Sequence, residues 1–198
     1  MKRKQITSGL KKWIGAALLA GILIGLCGCG ARQKTIEFKE HLDETVLELD
    51  GQTYPLRELA FYVAYEERIV QEQALAYAPA DPNSYWNTHM NGYFIRLRAR
   101  DEAMNLAIHD LIFYDMAMDL GEAAQLRLGI TKAELTEDLL RMALAQKYQE
   151  LYAAMKNVPK EDYDVSGAAY QTLLEAHTYK IRDRLWEGVS MGHVTLDQ

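Results

Sequence analysis

Apolar and polar positions along the chain follow two different periods. From Thr45 to Leu49 (TVLEL) they alternate as in a short strand, Asp50-Gly51 makes a two-residue hairpin turn, and Gln52-Thr53-Tyr54 returns. Pro55 then opens a helix, since the N–H that proline lacks would be unpaired at a first helical position. From Leu56 to about Tyr77 the period is helical, with Leu59, Phe61, Tyr62, Val63, Ile69, Val70 and Ala74 on one broad face. Ala78-Pro79-Ala80-Asp81-Pro82 ends it.

Ser84 to Gly92 (SYWNTHMNG) reads as a loop rich in aromatic residues. A long second helix follows, with Phe94, Leu97, Met104, Ala107, Ile108, Leu111, Ile112 and Met118 at three-and-four spacing, four of them repeating every seven residues. Gly121 ends or kinks this helix, or it runs to Leu128 with Gly129 as its cap. Thr131-Lys132-Ala133-Glu134 is a capping box for a third helix, whose face is Leu135, Leu139, Met142, Ala143, Leu151, Tyr152 and Met155 and whose end is Asn157-Val158-Pro159. A fourth helix, about Gly167 to Trp186, buries Tyr170, Leu173, Leu174, His177, Ile181, the stem of Arg184 and Leu185. His193 to Leu196 suits a final strand. The fold class expected is mainly α, about four helices with a short β-hairpin at the start and a C-terminal strand.

Ahead of this body the pattern changes. Lys2, Arg3, Lys4, Lys11 and Lys12 precede an uncharged, mostly apolar run of 14 residues, Trp13 to Leu26, which fits the apolar region of an export signal and is short for a transmembrane helix. Leu26-Cys27-Gly28-Cys29 resembles a bacterial lipobox. Only Cys29 follows a small residue, so Cys29 is the expected lipidation site; Cys27 would put bulky Leu26 at the cleavage position. The expected organisation is a signal peptide at 1–28, a polar lipidated tether at 29–44 and a helical domain at 45–198. Acyl chains, at about 0.8 kcal/mol per buried methylene, would hold the protein on the extracytoplasmic side of a cell membrane.

Charge and cysteine usage narrow the function. Beyond residue 28 there are 17 Lys and Arg against 28 Asp and Glu, a formal charge of −11 that disfavours a nucleic-acid partner. With cysteine confined to positions 27 and 29, disulfide frameworks, thiolate metal sites and cysteine nucleophiles are excluded from the body. Asp162-Tyr163-Asp164-Val165-Ser166-Gly167 copies the first half of a calcium loop, but Tyr170 and Leu173 stand at positions nine and twelve. Asp164 or Ser166 capping the last helix is the better expectation. Five histidines (His41, His89, His109, His177, His193) show no metal-binding spacing, and His177 falls on an apolar stripe as a core or interface residue. No metal and no cofactor are expected. Asp115, Asp119 and Glu122 form an acidic helix stripe, and Arg96 and Arg100 flank a helix surface within reach of Asp101 or Glu102. Hydrolase, P-loop and dinucleotide motifs do not occur, so no catalytic residue is assigned.

The aromatic inventory points to binding. Tyr62, Tyr65, Tyr85, Trp86, Tyr93 and Phe94, with Tyr77 near them, crowd the first helix, the loop and the start of the second helix. Such side chains give wide apolar contact with a polar handle, which suits varied polypeptides, while their helical spacing also suits a core. Met90, Met104, Met116, Met118, Met142 and Met155 would add adaptable surface where exposed.

Val46-x-x-Leu49-Asp50-Gly51-x-x-Tyr54-x-Leu56-x-Glu58-Leu59, the Tyr85-Trp86 loop, the long second helix and Gly129-Ile130-Thr131 with Glu134 resemble the N-terminal chaperone region of SurA/PrsA-type foldase lipoproteins. The likeness covers about Thr45 to Met155. It implies a mostly helical module that holds newly exported polypeptides. The prolyl isomerase domain common in that family has no counterpart in the 43 residues after Met155, so isomerase activity does not carry over. The expected function is therefore a non-catalytic chaperone-like binder of exported or unfolded polypeptides; the alternative is an accessory lipoprotein docking on one folded envelope partner. An enzyme with an unrecognised carboxylate site is a third class.

Overall fold

The computed structural model describes residues 35–120, 136–194 and 196. These form a mainly helical domain with two small antiparallel sheets. The expected signal, Cys29, Gly121, Glu122, Gly129 and the expected Thr131–Glu134 capping box lie outside the described residues. No helix among the described residues is long and apolar enough to cross a membrane.

Strand β1 (Thr45–Leu49) and strand β2 (Gln52–Pro55) are the expected hairpin, with Asp50 and Gly51 both at positive φ as a tight two-residue turn requires. Helix α1 (Leu56–Tyr77) follows at once, with Pro55 at its N-cap. Its first N–H groups, which no helical carbonyl can serve, are taken by the chain before the hairpin: Leu56 N–H donates to Glu44 O and Arg57 N–H to Leu42 O, each at 2.9 Å. Arg57 also forms an ion pair with Asp43. Ile36 and Phe38 pack on the core, and Ile36 N–H donates to Gly188 O at 2.9 Å. Residues 35–44, expected as part of the tether, therefore belong to the folded domain, and that bound is corrected. Two apolar residues and the open helix end outweigh the polar composition of that stretch.

A four-residue helix, α2 (Pro82–Tyr85), is capped by Asp81, whose carboxylate accepts from Ser84 N–H at 3.3 Å. The stretch read as a loop then folds into a hairpin, β3 (His89–Met90) with β4 (Tyr93–Phe94), around Asn91-Gly92 at positive φ. Helix α3 (Ile95–Met118) is central, packing on both α1 and α4 (Glu137–Lys156). Being covered from both sides, α3 buries His109, Asp110, Leu111, Ile112 and Phe113 consecutively, whereas Leu97 and Met118, the ends of the expected seven-residue stripe, are exposed. Helix α4 starts from Thr136, whose hydroxyl accepts from Leu139 N–H at a long 3.5 Å. Leu140, Leu144, Ala145, Tyr148 and Gln149 are buried on it, while Leu139, Leu151 and Met155 are exposed, a face rotated from the expected one. Asn157, left-handed at φ 57, ends it before Pro159.

The expected fourth helix is broken. Helix α5 (Ala168–Leu174) stops early, and β5 (Tyr179–Ile181) adds to the free edge of β1 in a sheet ordered β2-β1-β5. Pairing both edges of the buried strand β1 outweighs three more turns of helix. A short α6 (Asp183–Trp186) follows. The third strand is thus Tyr179–Ile181, and His193 and Val194 form a bend rather than the expected strand. His177 lies in the turn before β5, with Nδ1 2.6 Å from Asp50 Oδ2, not on an apolar helix face. Gly167 is the α5 N-cap and makes no side-chain cap; Asp164 instead accepts from Gln149 Nε2 at 2.9 Å.

Candidate functional site

The six aromatic residues that composition groups together divide into two sets. Tyr62, Tyr85 and Trp86 are core residues at 2%, 8% and 2% exposure; Tyr62 and Trp86 offer a partner almost no surface, whereas Tyr85 contributes to the wall of the cavity under the β3–β4 hairpin. Tyr62 meets Phe61 edge-on at 5.3 Å, Tyr85 stacks on Tyr77 at 6.0 Å, and the Trp86 indole N–H donates to Gln71 Oε1 at 3.3 Å. Apolar side chains at helical spacing found one another before any partner. Tyr65, Tyr93 and Phe94 are exposed, Tyr65 stacking on Phe61 and Phe94 meeting His89 edge-on.

The exposed set centres on the β3–β4 hairpin. Two-residue strands with Asn91-Gly92 at the tip turn Met90, Tyr93 and Phe94 outward, and Leu97 extends the patch along α3. Beneath the hairpin is a cavity of about 300 Å³, walled by Val70, Met90, Tyr93 and Ile95 and edged by Glu66, Arg98 and Glu102. Burial pushes the Glu66 carboxyl up, and the Glu102 charge pushes it further, against the Arg98 guanidinium. Arg98 pairs with Glu102 at 3.6 Å. A cavity this small, apolar on one side and charged on the other, has room for one amphipathic side chain. Asn91-Gly92 was the sequence signal for this hairpin, hidden because each strand is only two residues long.

Two buried polar arrangements complete the picture. Glu67, with no exposed surface, accepts from Gly192 N–H at 2.5 Å and Val194 N–H at 3.0 Å. His109 and Asp110, 3% and 1% exposed, meet through Nδ1 and Oδ1 at 3.0 Å, and His109 Nε2 lies 2.9 Å from Tyr163 O. Spacing motifs did not mark these groups, because apart from the adjacent His109–Asp110 pair their partners are 54 to 127 residues away. Arg100, expected on the surface, is largely buried and donates to Glu187 O at 2.8 Å. Asp115 is half-buried; burial raises its carboxyl and Asp119 adds to the effect. No group of three metal-binding side chains stands together among the described residues. Comparison with protein-family models, with curated proteins and with solved structures gave no match, so function is read from this geometry and from the sequence.

Proposed function

We propose that the protein is a lipoprotein anchored through Cys29 on the extracytoplasmic side of a cell membrane, and that its folded domain binds exported or unfolded polypeptide without catalysing a reaction. The observation that carries the binding role is the exposure of Met90, Tyr93 and Phe94 on a hairpin over a small, mixed apolar and charged cavity. Such a surface takes one side chain at a time with sequence-tolerant apolar contact. The lipobox-like Leu26-Cys27-Gly28-Cys29 supports the anchor, and the resemblance of about Thr45 to Met155 to SurA/PrsA-type chaperone regions supports the client class. The test is aggregation of several unrelated unfolded proteins, with and without the purified protein, alongside prolyl isomerisation measured at its uncatalysed rate. Suppression that falls in Tyr93→Ala/Phe94→Ala supports the reading. Equal suppression by parent and variant removes the hairpin as the site.

A second reading is favoured by the compactness of the exposed patch, which is a projecting hairpin rather than an extended groove: docking on one folded envelope partner. Recovery of a single stoichiometric partner, with no effect on unfolded proteins, would select it. Mass spectrometry of the mature N-terminus decides the anchor, since Cys29→Ala should abolish lipid attachment.

A further inference from the structure

We propose that His109 and Asp110 form a proton-operated latch: the proton they share keeps segment 160–167 seated on α3, and its loss frees that segment and widens the cleft it walls. The argument starts from the two ring nitrogens. His109 Nε2 lies 2.9 Å from Tyr163 O, a carbonyl that only accepts, so Nε2 carries a hydrogen. His109 Nδ1 then lies 3.0 Å from Asp110 Oδ1, and a hydrogen bond there needs one more proton, on the carboxyl or on the ring. Either arrangement is neutral overall, as suits a ring held between Phe113 at 4.9 Å and Tyr170 at 4.8 Å.

Removing that proton leaves a buried carboxylate facing a ring lone pair. Burial already opposes the charged form and pushes the Asp110 carboxyl up. The surroundings offset burial only in part, the Tyr62 hydroxyl and the Arg141 charge favouring the carboxylate. From α1 comes the Tyr62 hydroxyl, from α4 the Arg141 guanidinium, from α5 Tyr170, and from the segment itself Tyr163 with Lys160 and Asp164; Arg98 and Glu102 stand further along α3. Arg141, the cation among these that favours the Asp110 charge, is already paired with Glu58 at 3.2 Å. The ring relieves the repulsion by carrying its one remaining hydrogen on Nδ1, where it donates to Asp110, which leaves Nε2 with no hydrogen for Tyr163 O. The segment remains tied to α4, because Gln149 Nε2 donates to Asp164 Oδ1 and to Lys160 O. Its separation from α3 therefore opens the cleft of about 540 Å³ that lies between them.

The test uses the full chain in detergent, with denaturant midpoints from about pH 6 to about pH 10, below the range where buried tyrosines ionise. The parent midpoint should fall across this range. Asp110→Asn keeps a side-chain N–H to donate to Nδ1, so it should fold, match the parent at the acid end and stay level. At the alkaline end, amide exchange in segment 160–167 should be at least tenfold faster in the parent than in Asp110→Asn at the same pH. His109→Gln, whose amide can still donate to Tyr163 O, carries the same comparison if Asp110→Asn does not fold. A level parent profile, or a fall of equal size in both proteins, overturns the latch. Faster exchange spread over all helices, rather than confined to the segment, overturns it as well.

Discussion

The carboxylate of Glu67, in the middle of α1, accepts a hydrogen bond from the backbone N–H of Gly192, 125 residues later, at 2.5 Å. The same oxygen accepts from Val194 N–H. Gly192 is at φ +91, and the Trp86 indole lies so close that an added Cβ would sit 2.7 Å from Trp86 Cδ2. A buried acid, a left-handed glycine and a tryptophan thus hold the C-terminal segment against the first helix. With Val189 and Met191 buried in the same segment, the tail closes the core rather than trailing from it.

Breaking that closure should be costly. Glu67→Ala leaves two backbone donors without this acceptor and should lower stability by about 3 kcal/mol, at about 1–3 kcal/mol for each buried unpaired group. Glu67→Gln keeps an acceptor oxygen and should lose less. Gly192→Ala adds strain and a clash and should cost about 1–3 kcal/mol. Urea midpoints measure all three, and carboxypeptidase digestion should become faster in each variant. An unchanged digestion rate in Glu67→Ala would show that the carboxylate does not hold the tail.

Much of the architecture was legible because it is local. The Asp50-Gly51 hairpin, the span of α1 and the stop at Asn157-Val158-Pro159 rest on turn chemistry and helical period within a few residues. What the sequence hid depends on distant pairing. Tyr179–Ile181 becomes a strand only because β1 offers an edge, and α3 buries residues beyond its expected stripe, such as His109, Asp110 and Phe113, because two helices cover it. The candidate site was half legible. Aromatic content located the region, but only the fold separates buried Tyr62, Tyr85 and Trp86 from exposed Tyr93 and Phe94.

That separation can be measured. Trp86→Ala should destabilise the domain by about 3–5 kcal/mol, the usual cost of removing a fully packed large aromatic residue. Tyr93→Ala, at a position 63% exposed, should change stability by less than about 0.5 kcal/mol. Client binding should respond in the opposite sense, falling for Tyr93→Ala at unchanged stability. Thermal melts beside the aggregation assay would expose a reversed order, which would place Trp86 at the surface.

At alkaline pH the buried tyrosines should resist ionisation. Burial pushes Tyr54 up to about 12 and raises Tyr62 and Tyr170 further. A folded-state value above the unfolded one means that the tyrosine contribution to stability is intact below about pH 10 and is lost as pH rises toward the folded value. Absorbance near 295 nm should therefore rise in two stages, the second, from the buried tyrosines, only with unfolding. A single stage near pH 10 would contradict the burial of Tyr62 and Tyr170.

Calcium should leave the melting temperature unchanged to within about a degree. Asp164 already accepts from Gln149, and the loop closes on itself through Gly167 N–H to Asp164 O at 2.7 Å. Gly167 is needed for space: an added Cβ would sit 2.2 Å from Asp162 O. Gly167→Ala should therefore lower the melting temperature whether or not calcium is present. A rise of several degrees in the parent with millimolar calcium would show that Asp162 and Asp164 bind the ion after all.

The acid side tests the bond between the first hairpin and the late strand. Asp50 Oδ2 lies 2.6 Å from His177 Nδ1, and Asp50 Oδ1 accepts from Thr178 N–H at 2.8 Å, so one turn residue holds the chain that enters β5. The His177 hydrogen bond, with the Thr178 N–H second, holds the Asp50 carboxyl below its usual range. A depressed folded value means this contribution is present above about pH 4 and is lost as pH falls through the folded value. Asp50→Asn is the informative variant. Asparagine tolerates the left-handed backbone at φ 48 and still accepts from Thr178 N–H, so the turn survives while the charge is removed. Above about pH 5 the parent should have the higher urea midpoint, and the gap should close as acid protonates Asp50. The gap should be modest, since the pair is partly solvated. A gap independent of pH from about 6 to about 2.5 would assign the stabilisation to turn geometry and not to the Asp50 charge.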